Sequence, residues 1–292
     1  MYFYEGLCYN IEQGDWIMVE TVKTTLNENQ NISEEVKVGL MELIEIFNKM
    51  FPDVNLNNLN EKLKTLIIRR ESMFLLKLPC QYNSHNNEIV INLGRFEESD
   101  ARHWMMHALL GVITSQNNYY GFNNDDDRLL ALNEGYTEII TNYLVGDMED
   151  NFYFDEIIVT NLLNDIVNEN VLYDAYFNND ANKVIEMIDK ESVLSDVNDI
   201  LNAYYKMNVQ VGNDKQTSLK QIKTMMSEKW NGLCDRWIPI YAEECPSTEK
   251  CYYDEFTSFY NNTEKKEVTA SVNFVDNSKE VETLEIVPQK KL

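Results

Sequence analysis

Three histidines in 292 residues make histidine the scarcest of the side chains that catalyse or bind metals. Cysteine is nearly as rare. Cys8, Cys80, Cys234, Cys245 and Cys251 form an odd set with no C-x-x-C pair, which excludes a zinc ribbon. With no sign of an oxidising compartment they read as free thiols. Positive charge is also short, with 25 lysines and arginines against 49 acidic residues and a net charge of −24. Nucleic acid needs a basic footprint, and the Arg69-Arg70 and Lys265-Lys266 pairs are too small to supply one. No apolar run has the length of a membrane span. The first basic residue is Lys23, so no cationic leader is visible, and the expected location is the cytoplasm. A glycine-rich phosphate loop, a dinucleotide fingerprint and a G-x-S-x-G nucleophile turn are all missing.

What is present changes character along the chain. Residues up to about 30 mix aromatics with no clear period. From Ser33, placed as a cap, Val36, Leu40, Leu43, Ile44 and Phe47 recur at helical spacing until Pro52. The segment "NLNNLNEKLK" predicts one or two helical turns. Three apolar bursts follow, "TLIIRR", "MFLLKL" and "NEIVINLG", and are expected to be strands of one small sheet, with "PCQYNSHNN" as a turn between the last two. Beyond residue 98 the pattern is helical, over roughly 99–116, 128–145, 155–178 with a break, 181–190, 193–207 and 216–234. The linker "NNYYGFNNDDD" reads as a surface loop whose Tyr119, Tyr120 and Phe122 can cover a cleft. At the end, "EVTASVNFV", "DNSK" and "EVETLEIV" predict a β-hairpin. The expectation is an α+β chain. A strand-bearing region spans 1–120, a helical region 121–240, and a tail with the hairpin 241–292.

Two stretches carry the chemistry. In "HWMMHALLG", His103 and His107 stand four apart and share one helix face, so both imidazoles can reach one ion. In "ALNEGYTEIITNYL", on the next predicted helix, Glu134 and Glu138 are also four apart. Glu134 can complete a His2Glu set, and Glu138 can accept the other imidazole N–H and fix its tautomer. Gly135 costs about 1 kcal/mol in a helix relative to alanine. Its expected use is close approach to the helix that bears the histidines. Met105 and Met106 read as core.

Together, "HWMMH" and "LNEG-x-T-E" resemble the gluzincin clan of zinc metallopeptidases, whose pattern is H-E-x-x-H on one helix and an N-E-G-like acidic sequence on the next. The resemblance covers residues from about 63 to 145. It implies a zincin-like fold, zinc held by His103, His107 and Glu134, Glu138 as outer carboxylate, and an edge strand, matched to "NEIVINLG", that pairs with substrate peptide. The departure is Trp104, which stands where the clan has its general base. An indole N–H can only donate, and a general base contributes on the order of 10²–10⁴-fold. The reading is therefore a pseudopeptidase that binds a peptide or protein. Two alternatives stay open: an active atypical peptidase with a surrogate base, and a metal-free helical interaction protein. Glu97 and Glu98 are candidate surrogates that would have to fold back from more than a turn before His103, and Asp125 to Asp127 are candidates better explained as a solvated charge run capping the next helix. His85 is a candidate transition-state donor, better explained as a turn histidine.

Overall fold

The computed structural model describes residues 13–73, 77–125, 127–146, 153, 156–157, 159–161, 163, 169–190 and 192–209. The hairpin, the helix expected at 216–234 and all cysteines but Cys80 lie outside them. Contacts divide the chain into two units, Tyr9–Ile222 and one made of Met1–Cys8 with Lys223–Leu292. Every described residue belongs to the first.

Helix α1 (Gln13–Glu28) occupies the stretch in which no period is visible in the sequence. Its buried residues Val19, Val22 and Leu26 are spaced three and four apart, too few to stand out among the surrounding aromatics. α1 packs on α2 (Glu34–Met50) and α3 (Asn57–Leu63). The α2 stripe of Leu40, Leu43, Ile44 and Phe47 is buried as its spacing requires.

The sheet has three strands in the order β1 (Ile67–Glu71), β3 (Glu88–Asn92), β2 (Cys80–Asn83). β1 runs parallel to β3, and β2 antiparallel to it. Two expectations are corrected here. The second strand is "CQYN", inside the segment read as a turn; of "MFLLKL", Phe74, Leu75 and Leu76 lie outside the described residues. The Asn92 amide donates to the carbonyls of Met73 and Leu78 and its oxygen accepts from the Met73 N–H, which satisfies those backbone groups beside the end of β3. The strand in "NEIVINLG", expected at an edge, is the central one, and all five of its residues are buried. The edge beside α4 is β2.

A 3₁₀ turn (Glu98–Asp100) leads into α4 (Ala101–Ile113), and α5 (Leu130–Val145) follows. α4 is apolar almost all round because it is surrounded: it packs on α5, β2, α2 and α3. On the β2 side Gly111 lets the strand approach, since a Cβ there would lie 3.0 Å from the Tyr82 ring. Among the described residues of the loop between α4 and α5, only Asn117, Asn118, Asp125 and Asp127 are exposed. Gly121 N–H donates to the Thr114 hydroxyl and Phe122 N–H to the Asn133 side chain. Phe122 is fully buried, 5.3 Å from the Tyr136 and Tyr176 rings. Burying that aromatic outweighs the polar composition from which a wholly exposed loop is expected.

Helices α6 (Glu169–Phe177), α7 (Ala181–Ile188) and α8 (Ser192–Asn208) complete the described elements. α8 packs on α5 and fixes its start: Asn202 accepts the Ala131 N–H at 2.7 Å, and the Asn198 amide donates to the Arg128 carbonyl. The result is an α+β unit with a small sheet and mostly helices. No described helix is long and apolar enough to cross a membrane.

Candidate metal centre

The packing of α4 on α5 brings the two predicted pairs together. His103, His107, Glu134 and Glu138 are all buried, with Glu138 wholly so. Glu138 straddles His103 Nε2, its Oε2 at 3.1 Å in a hydrogen bond and its Oε1 at 3.0 Å. His107 Nε2 points between the carboxylates, 3.7 Å from Glu134 Oε2 and 3.8 Å from Glu138 Oε2. Those gaps exceed hydrogen-bond length. His107 Nε2 and His103 Nδ1 are therefore buried polar atoms without hydrogen-bond partners.

Burial sets the electrostatics. It drives His107 far below the ordinary imidazole range, to about 3, helped by the neighbouring His103. Burial also raises the Glu134 carboxyl to about 7, against the opposing hydrogen bonds from Tyr153 and Asn133. A neutral imidazole with a free nitrogen beside a carboxylate that is costly to ionise is an environment short of one cation. Even so, among the described residues no three histidine, cysteine, aspartate or glutamate side chains stand as a ready cage for an ion. The direct His103–Glu138 hydrogen bond occupies a donor that such a cage would use.

Two aromatic residues frame the cluster. Tyr153 stacks on the His107 ring, with centroids 5.1 Å apart and planes 11° from parallel. Its hydroxyl hydrogen-bonds Glu134. Burial and the charge of Glu134 raise the Tyr153 phenol well above its usual value, so it stays protonated and donates. Trp104 packs edge-on to His103 at 5.5 Å and against His107 at 6.0 Å and Tyr153 at 6.2 Å. It fills the space beside the histidines with apolar surface.

The cluster borders a cavity of about 310 Å³. His107 and Glu134 line it, together with Tyr82, Tyr120, Tyr153 and Tyr205. His103 and Glu138 are not among its lining residues and stand behind.

Other candidates fall elsewhere. His85 is exposed in the β2–β3 turn, against Tyr119. Glu97 and Glu98 are exposed before α4, as are Asp125 and Asp127 in the loop, where Asp125 accepts from Tyr119. Asp126 lies outside the described residues. Gly135 does permit a close approach, but not to α4. A Cβ there would meet the Thr160 hydroxyl and lie 2.5 and 2.6 Å from the Glu156 carbonyl oxygen and carbon. The partner is a segment that enters this site only in three dimensions. Gly135→Ala is accordingly expected to destabilise. The helix gains about 1 kcal/mol from alanine, while overpacking against backbone costs about 1–3 kcal/mol. A lowered urea midpoint is expected, and an unchanged or raised one would show that the Glu156 segment yields freely.

Sequence reasoning missed Tyr153 and the buried Glu156 and Tyr205. Nothing separates Tyr153 from the other sixteen of the chain's 17 tyrosines until the fold stacks it on His107. Comparison with protein-family models, with curated proteins and with solved structures finds no match to this chain.

Proposed function

We propose that this chain is a zincin-like pseudopeptidase that holds one zinc ion through His103, His107 and Glu134 and uses the adjoining cavity to bind a peptide or protein. The supporting observation is His107 Nε2, buried, without a hydrogen-bond partner and aimed between two carboxylates. Imidazole and carboxylate are a usual zinc donor set, and a ligating histidine must be neutral, the form that burial imposes on His107. When bound, the ion supplies the positive charge that Glu134 and Glu138 lack. The chain's own residues do the rest: Tyr153 holds Glu134 by its hydroxyl and His107 by stacking, and Trp104 keeps water from the histidine side.

No group at the Trp104 position can take a proton, so peptide binding without hydrolysis is the activity this arrangement favours. A second reading has its own support. The His103–Glu138 hydrogen bond already satisfies one nitrogen, as expected if the histidines only pack inside a metal-free interaction protein.

Elemental analysis decides between them, on protein purified without added metal or chelator. About one zinc per chain is expected, lost in both His107→Ala and Glu134→Ala, since a structural or catalytic site needs at least three protein ligands. Absence of zinc even after soaking would establish the metal-free reading.

A further inference from the structure

We infer that Glu138 is a fourth protein ligand of this ion, which makes the centre closed and structural instead of open to water or substrate. The inference rests on the zinc-binding reading above and deepens it. It departs from the role the sequence resemblance implies for Glu138, that of an outer carboxylate.

The first ground is which atoms face each other. A carboxylate that orients a liganding histidine from outside does so through the ring nitrogen that does not bind the metal. On α4 the two imidazoles lie one turn apart, and His107 presents Nε2 to Glu134. His103 presents the same nitrogen to Glu138, while its Nδ1 is left buried and without a hydrogen-bond partner. Glu138 thus stands on the side where the two Nε2 atoms meet. Its Oε2 faces both of them, at 3.1 Å and 3.8 Å.

The second ground is distance. Zinc bonds of about 2.0–2.2 Å at tetrahedral angles separate neighbouring donors by roughly 3.3–3.6 Å. Three of the donor pairs lie near that separation: His103 Nε2–Glu138 Oε1 at 3.0 Å, His107 Nε2–Glu134 Oε2 at 3.7 Å and His107 Nε2–Glu138 Oε2 at 3.8 Å. Glu138 makes such a contact with both histidines, whereas Glu134 makes it with His107 alone, so an ion held by all four would have to draw His103 and Glu134 together. The tightest contact is the His103–Glu138 hydrogen bond, which the ion would open.

Charge and burial agree with this arrangement. Two carboxylates balance a divalent ion, as a site this deeply buried requires. A tetrahedral site filled by four protein groups has no position for a reactive water and needs no general base. Trp104, packed on both histidine rings, is then the apolar cover of a structural centre.

The test uses cobalt(II) as a spectroscopic substitute in the full-length protein, with azide as probe for an open position. The expected result is the intense visible absorption of a tetrahedral ion, unchanged by azide. Glu138→Gln is expected to weaken cobalt binding by more than 100-fold, as much as Glu134→Gln does, against about 10–100-fold for loss of an outer carboxylate. If the variant retains some cobalt, its spectrum should become azide-sensitive. The wild-type titration stands alone if Glu138→Gln fails to fold. Cobalt uptake with azide-sensitive wild-type bands would overturn the assignment of Glu138 and leave the zinc-binding reading intact. No cobalt uptake would overturn both.

Discussion

Trp104→Glu, the change that restores the glutamate of the peptidase pattern, is expected to unfold the chain before it confers any hydrolysis. Trp104 is 3% exposed and packs on His103, His107 and Tyr153. Truncating a buried tryptophan costs about 3–5 kcal/mol. The new carboxylate would enter a site that already holds Glu134 and Glu138, and a buried charge without a partner costs several kcal/mol more. Against a total stability of about 5–15 kcal/mol for a domain, the sum removes most or all of it. Trp104→Phe keeps the site apolar and is expected to cost only about 1–3 kcal/mol. Thermal unfolding followed by circular dichroism compares the two. If Trp104→Glu melted within a few degrees of the wild type, the indole would not be a packing element. A folded variant that cleaved peptides would show that the site retains room and charge for a catalytic carboxylate.

The same contrast between local pattern and tertiary setting explains what was legible in the sequence. α2 is readable because its apolar positions repeat over about three turns after Ser33, which takes the N-cap position without a side-chain hydrogen bond. The pairs His103/His107 and Glu134/Glu138 are readable because spacing of four on a helix is a local property, and α4 and α5 pack together. β2 is hidden because its neighbours, Pro79, Ser84 and a run of asparagines, carry turn chemistry. Only Tyr82 against Gly111 reveals that the segment packs as a strand. Gly135 announces a close approach without saying to what, since its neighbours are Glu156 and Thr160. The face that Glu138 presents to His103 is likewise set by how α5 lies on α4, and spacing alone assigns it to either side of the ring. Composition says that Trp104 cannot be a base. Only the fold says that it is core.

The second large effect expected is a pH dependence that separates wild type from Glu134→Gln in metal-free protein. His107 is held at about 3, against 6.5 for an unburied imidazole. Between those values the unfolded chain takes up a proton that the folded chain refuses, so stability falls as pH drops from 6.5 to 3. Glu134 works in the opposite direction. Its carboxyl is raised from 4.5 to about 7 by burial first, and also by the charge of Glu138. Between those values the folded chain keeps a proton that the unfolded chain releases, so stability is lost as pH rises from 4.5 through 7. Where the windows overlap, from 4.5 to 6.5, the two slopes cancel, and the wild type should be nearly flat. Glu134→Gln removes only the second contribution, so its stability should keep rising to 6.5. The difference between the two proteins should grow by about 3 kcal/mol from pH 4.5 to 7, the free energy of the interval between the two Glu134 values. Tyr120, Tyr153, Tyr176 and Tyr205, the phenols that feel the charge of Glu134, are all raised by burial and stay protonated throughout, so they leave this window clear. Urea titrations of both proteins in chelator, at pH steps from 4 to 8, measure the difference directly. Parallel curves would mean that Glu134 ionises without cost in the folded chain, and that the centre needs no cation to hold it.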